Sequence, residues 1–104
     1  MEIKEAYCSY ELAKLLVKKG FDSDLVKGAL ITHQLACAWV RSKGYSVEVH
    51  ATAVGWHWEV CKINGTSIAF GGNIPSNKTN DGGAYDDYDE CMENALMYTL
   101  TNLI

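Results

Sequence analysis

Two imidazoles, a carboxylate and a thiol recur on one side of an alternating stretch: His50, His57, Glu59 and Cys61. From Tyr45 to Ala53, Tyr45, Val47, Val49, Ala51 and Ala53 point one way, while Ser46, Glu48, His50 and Thr52 point the other. That alternation predicts a half-buried strand, and Trp56 to Ile63 reads as a second one. With Val54-Gly55 as a two-residue turn, His50 pairs with Glu59, Thr52 with His57 and Glu48 with Cys61. His57 and Cys61 then become diagonal neighbours of His50, within reach of long side chains. These are zinc-competent ligand types, and a metal- or cysteine-dependent enzyme would use them, although the closed four-ligand spacing of structural zinc sites is missing. The plainer reading is a solvated sheet face with one opposite-charge pair, worth about 0.2–1 kcal/mol.

His33 and Cys37 stand four residues apart on a helix, a spacing at which side chains meet. A catalytic pair also needs a third group to orient the base and a lowered thiol pKa, and the sequence identifies neither. No catalytic residue is therefore assigned. The acids Asp86, Asp87, Asp89, Glu90 and Glu93 lie before and within the last helix. They lack the calcium-loop spacing, and a capped, dipole-stabilised helix start explains them; as a surface they are candidates for protein interaction. Lys14, Lys18 and Lys19 make a weakly basic patch. Gly71-Gly72 and Gly82-Gly83 follow neither phosphate-binding pattern, so no cofactor is implied. Trp56 and Trp58 share a strand face with Val60, the face turned to the helices, which makes them core.

The elements that must position these residues are marked by their caps. Ser9 is a helix N-cap with Glu11 in the first turn, Leu12, Leu15 and Leu16 repeat at helical spacing, and Gly20-Phe21 closes the helix near residue 19. Residues 22–31 read as a short hairpin or an irregular connection. Thr32 caps a second helix that runs to about Lys43 before Gly44, with Leu35, Ala36, Trp39 and Val40 as its buried stripe. After the two strands, Asn64-Gly65 predicts a type I′ turn into a third strand at Thr66–Phe70. Residues 71–85 form a polar loop with four glycines and three asparagines, functional or simply mobile. The last helix starts near Asp86 or Asp87, with Asp87 and Glu90 as a capping box. Tyr88, Cys91, Met92, Ala95, Leu96, Leu100 and Leu103 line its inner face. Glu90, Glu93, Met97 and Thr101 line the outer face, so Glu93 is expected to matter little for stability.

The chain has 104 residues with 48% hydrophobic and 21% charged residues, the composition of one folded domain spanning 1–104. No apolar run reaches the roughly 18 residues of a membrane span, and Met1-Glu2-Ile3-Lys4-Glu5 lacks a signal-peptide core. A cytoplasmic location is expected, so Cys8, Cys37, Cys61 and Cys91, widely spaced, read as reduced thiols used as small apolar fillers. Residues 1–50 carry seven Lys/Arg and six Asp/Glu, whereas residues 51–104 carry two and seven. Phosphate neutralisation by clustered cations dominates nucleic-acid affinity, so nucleic acid is a disfavoured partner, left only to the lysine patch.

The order α-(x)-α-β-β-β-α predicts an α+β fold: a three-stranded antiparallel sheet with helices on one face. Residues 32–104 follow the element order of double-stranded-RNA-binding domains. That family grips phosphates with a basic last helix, whereas here the same end reads Asp86-Asp87-Tyr88-Asp89-Glu90, so the function does not carry over. Ser9-Tyr10-Glu11-Leu12-Ala13-Lys14-Leu15-Leu16 through Lys19-Gly20-Phe21-Asp22 resembles the opening of small uncharacterised proteins from gut Bacteroidetes and their phages or mobile elements. Thr32-His33-Gln34, Trp39-Val40-Arg41 and the close from Tyr85 through Ala95-Leu96 to Asn102-Leu103-Ile104 are similar to the same group. The resemblance covers about half of the chain. It supplies context and no activity. With no catalytic constellation but a complete set of folding signals, the chain is expected to be a small non-enzymatic interaction or accessory module with an unknown protein partner, as a monomer or homodimer.

Overall fold

The computed structural model describes residues 6–22, 31–53, 55–71 and 84–104. The elements run α1 (Tyr10–Lys18), α2 (His33–Ser42), β1 (Tyr45–Thr52), β2 (Gly55–Lys62), β3 (Ser67–Gly71) and α3 (Tyr88–Asn102). The strands form an antiparallel sheet in the order β1-β2-β3. The fold is thus the expected α+β class. Residues 23–30, the bulk of the segment expected to be a short hairpin or an irregular connection, and most of the 71–85 loop lie outside the described residues.

The helix ends follow from local chemistry. Ser9, Thr32 and Asp87 each sit in extended backbone and accept, through the side chain, the N–H three residues on, which satisfies one orphan donor per helix. At the end of α1, Gly20 N–H donates to the Val17 carbonyl at 3.1 Å and Phe21 N–H to the Leu16 carbonyl at 2.9 Å. Gly20 is left-handed at φ 113°, and Phe21 is buried, which completes the Schellman closure.

Helices α2 and α3 pack on the sheet, and α1 packs on α3. The core joins Leu12 and Leu16, Val40, Val47, Trp58 and Val60, and Leu96 and Leu100. Trp58 lies tilted against Tyr98 with ring centres 5.0 Å apart. Both strand tryptophans thus face the helices, Trp56 less deeply.

Three local expectations need correction. The buried face of α2 is His33, Ala36, Cys37 and Val40 rather than Leu35, Ala36, Trp39 and Val40, because α2 packs against α3 as well as β1. Trp39 sits at the edge, covered by Phe21 at 6.1 Å and by the Lys43 ammonium at 5.1 Å. The second hairpin is not a two-residue type I′ turn. Gly65 N–H donates to the Lys62 carbonyl at 2.8 Å and Lys62 N–H to the Thr66 carbonyl at 2.8 Å, with left-handed Gly65 third in the loop. This is the three-residue, glycine-bulge solution, and β3 starts one residue later than expected. Tyr88 is 43% exposed rather than docked in the core, its ring perpendicular to Trp56 at 5.0 Å.

The largest correction concerns the β1–β2 register. Gly55 is not a turn corner but the first residue of β2, paired with Thr52. Its φ is 145°, and a Cβ there would lie 2.5 Å from the Tyr85 carbonyl oxygen. Tyr85 occupies the position beside Trp56, each N–H donating to the other's carbonyl at 2.8 and 2.9 Å. Glycine is therefore required by the close approach of Tyr85. Pairing slides by two residues: His50 faces His57, Glu48 faces Glu59 and Ser46 faces Cys61. A two-residue slide keeps every side chain on its expected face while changing every cross-strand partner.

Candidate functional site

Two places gather chemistry-bearing side chains, one between the helices and one on the open face of the sheet.

The first is built on a pairing outside the sheet. Tyr7 bridges Thr32, with Cys8 N–H donating to the Ile31 carbonyl at 2.8 Å and His33 N–H to the Ala6 carbonyl at 2.9 Å. The starts of α1 and α2 are thereby held side by side. Glu93 reaches in from α3. Its carboxylate accepts the Ser9 backbone N–H at 2.6 Å and lies 3.0 Å from His33 Nε2. In a capping box, the acid that takes the N-cap N–H comes from the third residue of the same helix. In α1 that residue is Leu12, so a glutamate 84 residues away supplies the missing half. The position also places a negative charge beside two helix N-termini. Burial pushes the Glu93 carboxyl up, but hydrogen bonds from His33 and Ser9 and the His33 charge outweigh it and hold it below its ordinary value. Glu93 is therefore not the solvated outer-face residue expected from the sequence.

His33 Nε2 is taken up by this contact, which leaves Nδ1 as the other polar atom of the ring. Nδ1 is buried and has no partner. His33 forms part of the wall of a cleft of about 400 Å³ between α2 and the start of α3. Val47 and Met92 give this cleft an apolar lining, and Gln34, Arg41, Tyr88 and Asp89 add its polar and aromatic groups. Cys37 faces the Met92 sulfur at 3.6 Å. Burial raises the Cys37 thiol and pushes Cys8 and Cys91 up to about 12. Nucleophilic cysteines need the opposite shift, so the His33–Cys37 spacing has not produced an activated thiol.

The second place is the open sheet face. His50 Nε2 lies 3.6 Å from a Glu48 oxygen and 3.4 Å from a Glu59 oxygen. Among the described residues, Glu48, His50 and Glu59 are the group whose ligand atoms all lie within 4.8 Å of one another. Of the four residues singled out in the sequence, His50 and Glu59 are thus brought together. His57 faces His50 across the strands but keeps its Nε2 buried and unpartnered. The Cys61 thiol is pushed up by burial and by the Glu59 and Glu48 carboxylates. Glu48, opposite Glu59, was missed because the expected register paired it with Cys61.

The acids of α3 separate by role. Asp87 accepts the Glu90 N–H at 2.9 Å, Asp89 lines the cleft, Glu93 is clamped, and Asp86 and Glu90 are exposed. Lys14 and Lys18 flank a separate shallow groove with Leu15 and Met97 between α1 and α3, while Lys19 follows the helix as its C-cap. No helix among the described residues is long and apolar enough to cross a membrane. Comparison with known proteins found no matching family model, no matching curated protein and no matching solved structure.

Proposed function

We propose that this chain is a non-enzymatic protein-interaction module of the phage or mobile-element type, acting in the cytoplasm, and that it receives its partner in the cleft between α2 and the start of α3. The observation that carries this reading is the cleft itself. It combines apolar Val47 and Met92 with Arg41, Asp89 and the exposed ring of Tyr88. Tyrosine and arginine around a desolvated floor are the residue types that dominate interface energetics. The buried, unpartnered Nδ1 of His33 adds a polar atom whose hydrogen bond a partner would supply. The resemblance of the two ends and the second helix to small proteins of gut Bacteroidetes and their mobile elements supplies the context for this reading, not an activity.

The alternative is a metal- or cysteine-dependent enzyme on the hairpin face. A thiol nucleophile there is disfavoured, because desolvation and then the carboxylates beside Cys61 hold its proton on. Nucleic-acid binding through Lys14 and Lys18 is disfavoured by Glu11, which lines the same groove. The test is affinity capture from a native host with wild type, Arg41→Glu and Tyr88→Ala. Both substitutions are at the surface and leave the core intact. Loss of the same captured protein with both variants, at unchanged melting temperature, supports the cleft; identical capture by all three proteins removes it.

A further inference from the structure

We propose that Glu48, His50 and Glu59 form a divalent-cation site of the zinc class on the open face of the sheet. This site lies on a different surface from the α2–α3 cleft, and either reading stands without the other. Three features carry it.

The ligand types fit. Imidazole suits zinc and its first-row neighbours, and two carboxylates supply the charge that a dication needs. The spacing fits as well. Zinc bonds of about 2.0–2.2 Å to nitrogen and oxygen set tetrahedral ligand–ligand edges of about 3.3–3.6 Å. His50 Nε2 stands 3.4 Å from Glu59 and 3.6 Å from Glu48, and all three ligand atoms lie within 4.8 Å of one another. A small closing of the two carboxylates brings the set onto one ion. Finally, the backbone register sets Glu48 directly opposite Glu59. Like charges facing each other across strands are destabilising, and a cation between them reverses that sign.

The support beneath the ligands is uneven in a useful way. Glu59 is the most sheltered of the three, its side chain 22% exposed against about half for Glu48 and His50. Three protein ligands on an exposed face leave the remaining position to water, so the site is open rather than closed.

The test is zinc chloride titrated calorimetrically into the reduced full chain near neutral pH. The variants are His50→Ala, Glu59→Gln, Glu48→Gln and Cys61→Ser, each checked for fold by circular dichroism. Wild type should bind a single saturable equivalent. Losing an outer hydrogen-bond partner typically weakens metal sites about 10–100-fold, and removing a ligand from this one should weaken it at least tenfold. Cys61→Ser should retain binding. Cobalt substituted for zinc should give visible bands without a thiolate charge-transfer band. Absence of saturable binding would overturn the proposal. Equal affinity in wild type and His50→Ala, or a thiolate band lost in Cys61→Ser, would overturn it too.

Discussion

The molecule contains two contacts of the same chemical type in opposite surroundings. His33 and Glu93 meet at 3.0 Å with side chains 10% and 20% exposed, whereas His50 meets Glu48 and Glu59 at 3.6 and 3.4 Å on an open face. In the first case the carboxylate has spent its acceptors on Ser9 and His33, and its residues tie three helices together. In the second, His50 and Glu48 are about half exposed and only Glu59 is sheltered, at 22%, so the set keeps lone pairs open to an added ion. Burial, rather than residue type, separates a structural clamp from a ligand set: an ion pair in water contributes little, while a sheltered charged hydrogen bond is costly to break.

The comparison can be broken from either side. The largest effect should come from the core that both regions share. Leu96→Ala removes a fully buried side chain beneath α3 and should cost about 2–5 kcal/mol in urea unfolding. Gly55→Ala should follow. Its backbone conformation alone carries strain of about 1–3 kcal/mol for other residues, and its Cβ would also meet the Tyr85 carbonyl at 2.5 Å; a stable Gly55→Ala protein would contradict the register. Glu93→Ala should cost about 1.5–3 kcal/mol, the range for hydrogen bonds to a charged group. Asp87→Ala should cost about 0.5–2 kcal/mol, as other N-cap losses do. Glu59→Gln, measured without added metal, should change stability least.

The acid limb of stability sharpens the same contrast. A carboxyl held below its unfolded pKa binds fewer protons in the folded state, so its contribution is full above the unfolded value and disappears as pH falls through the folded one. The Glu93 shift is of this sign. Wild type should therefore lose stability on acidification through and below the ordinary carboxylate range, and Glu93→Gln should flatten that slope; an unchanged slope would show that the clamp does not titrate as described.

What the sequence showed and hid follows from the distance over which each feature is determined. Ser9, Thr32, Asp87 and Gly20 act within one helical turn, and their roles were legible from neighbouring residues. The alternation of Tyr45–Ala53 and Trp56–Ile63 showed which face of each strand meets the helices, because a period of two survives an error of two in register. The cross-strand partners did not survive it. The shift is imposed by Tyr85, which follows Gly55 by 30 residues and sits against its α-carbon. Glu93 was misplaced for a similar reason. Helix periodicity put it opposite the core, but α1 packs on α3 and brings Ser9 to it. Leucine at the third position of α1 was the available hint, since an N-cap serine without an acid three residues on leaves a backbone N–H to be satisfied elsewhere.

A pair of double-mutant cycles tests the central contrast most directly. One cycle combines His33→Gln with Glu93→Gln, the other His50→Gln with Glu59→Gln, each read as urea-unfolding free energies near neutral pH without added metal. Coupled neighbours typically interact by about 0.5–3 kcal/mol, and exposed ion pairs by about 0.2–1 kcal/mol. The buried pair should lie in the upper part of the first range and the sheet-face pair at the bottom of the second. Equal couplings, or a larger one on the sheet face, would contradict the assignment of Glu93 as the clamp and of His50 as the free ligand.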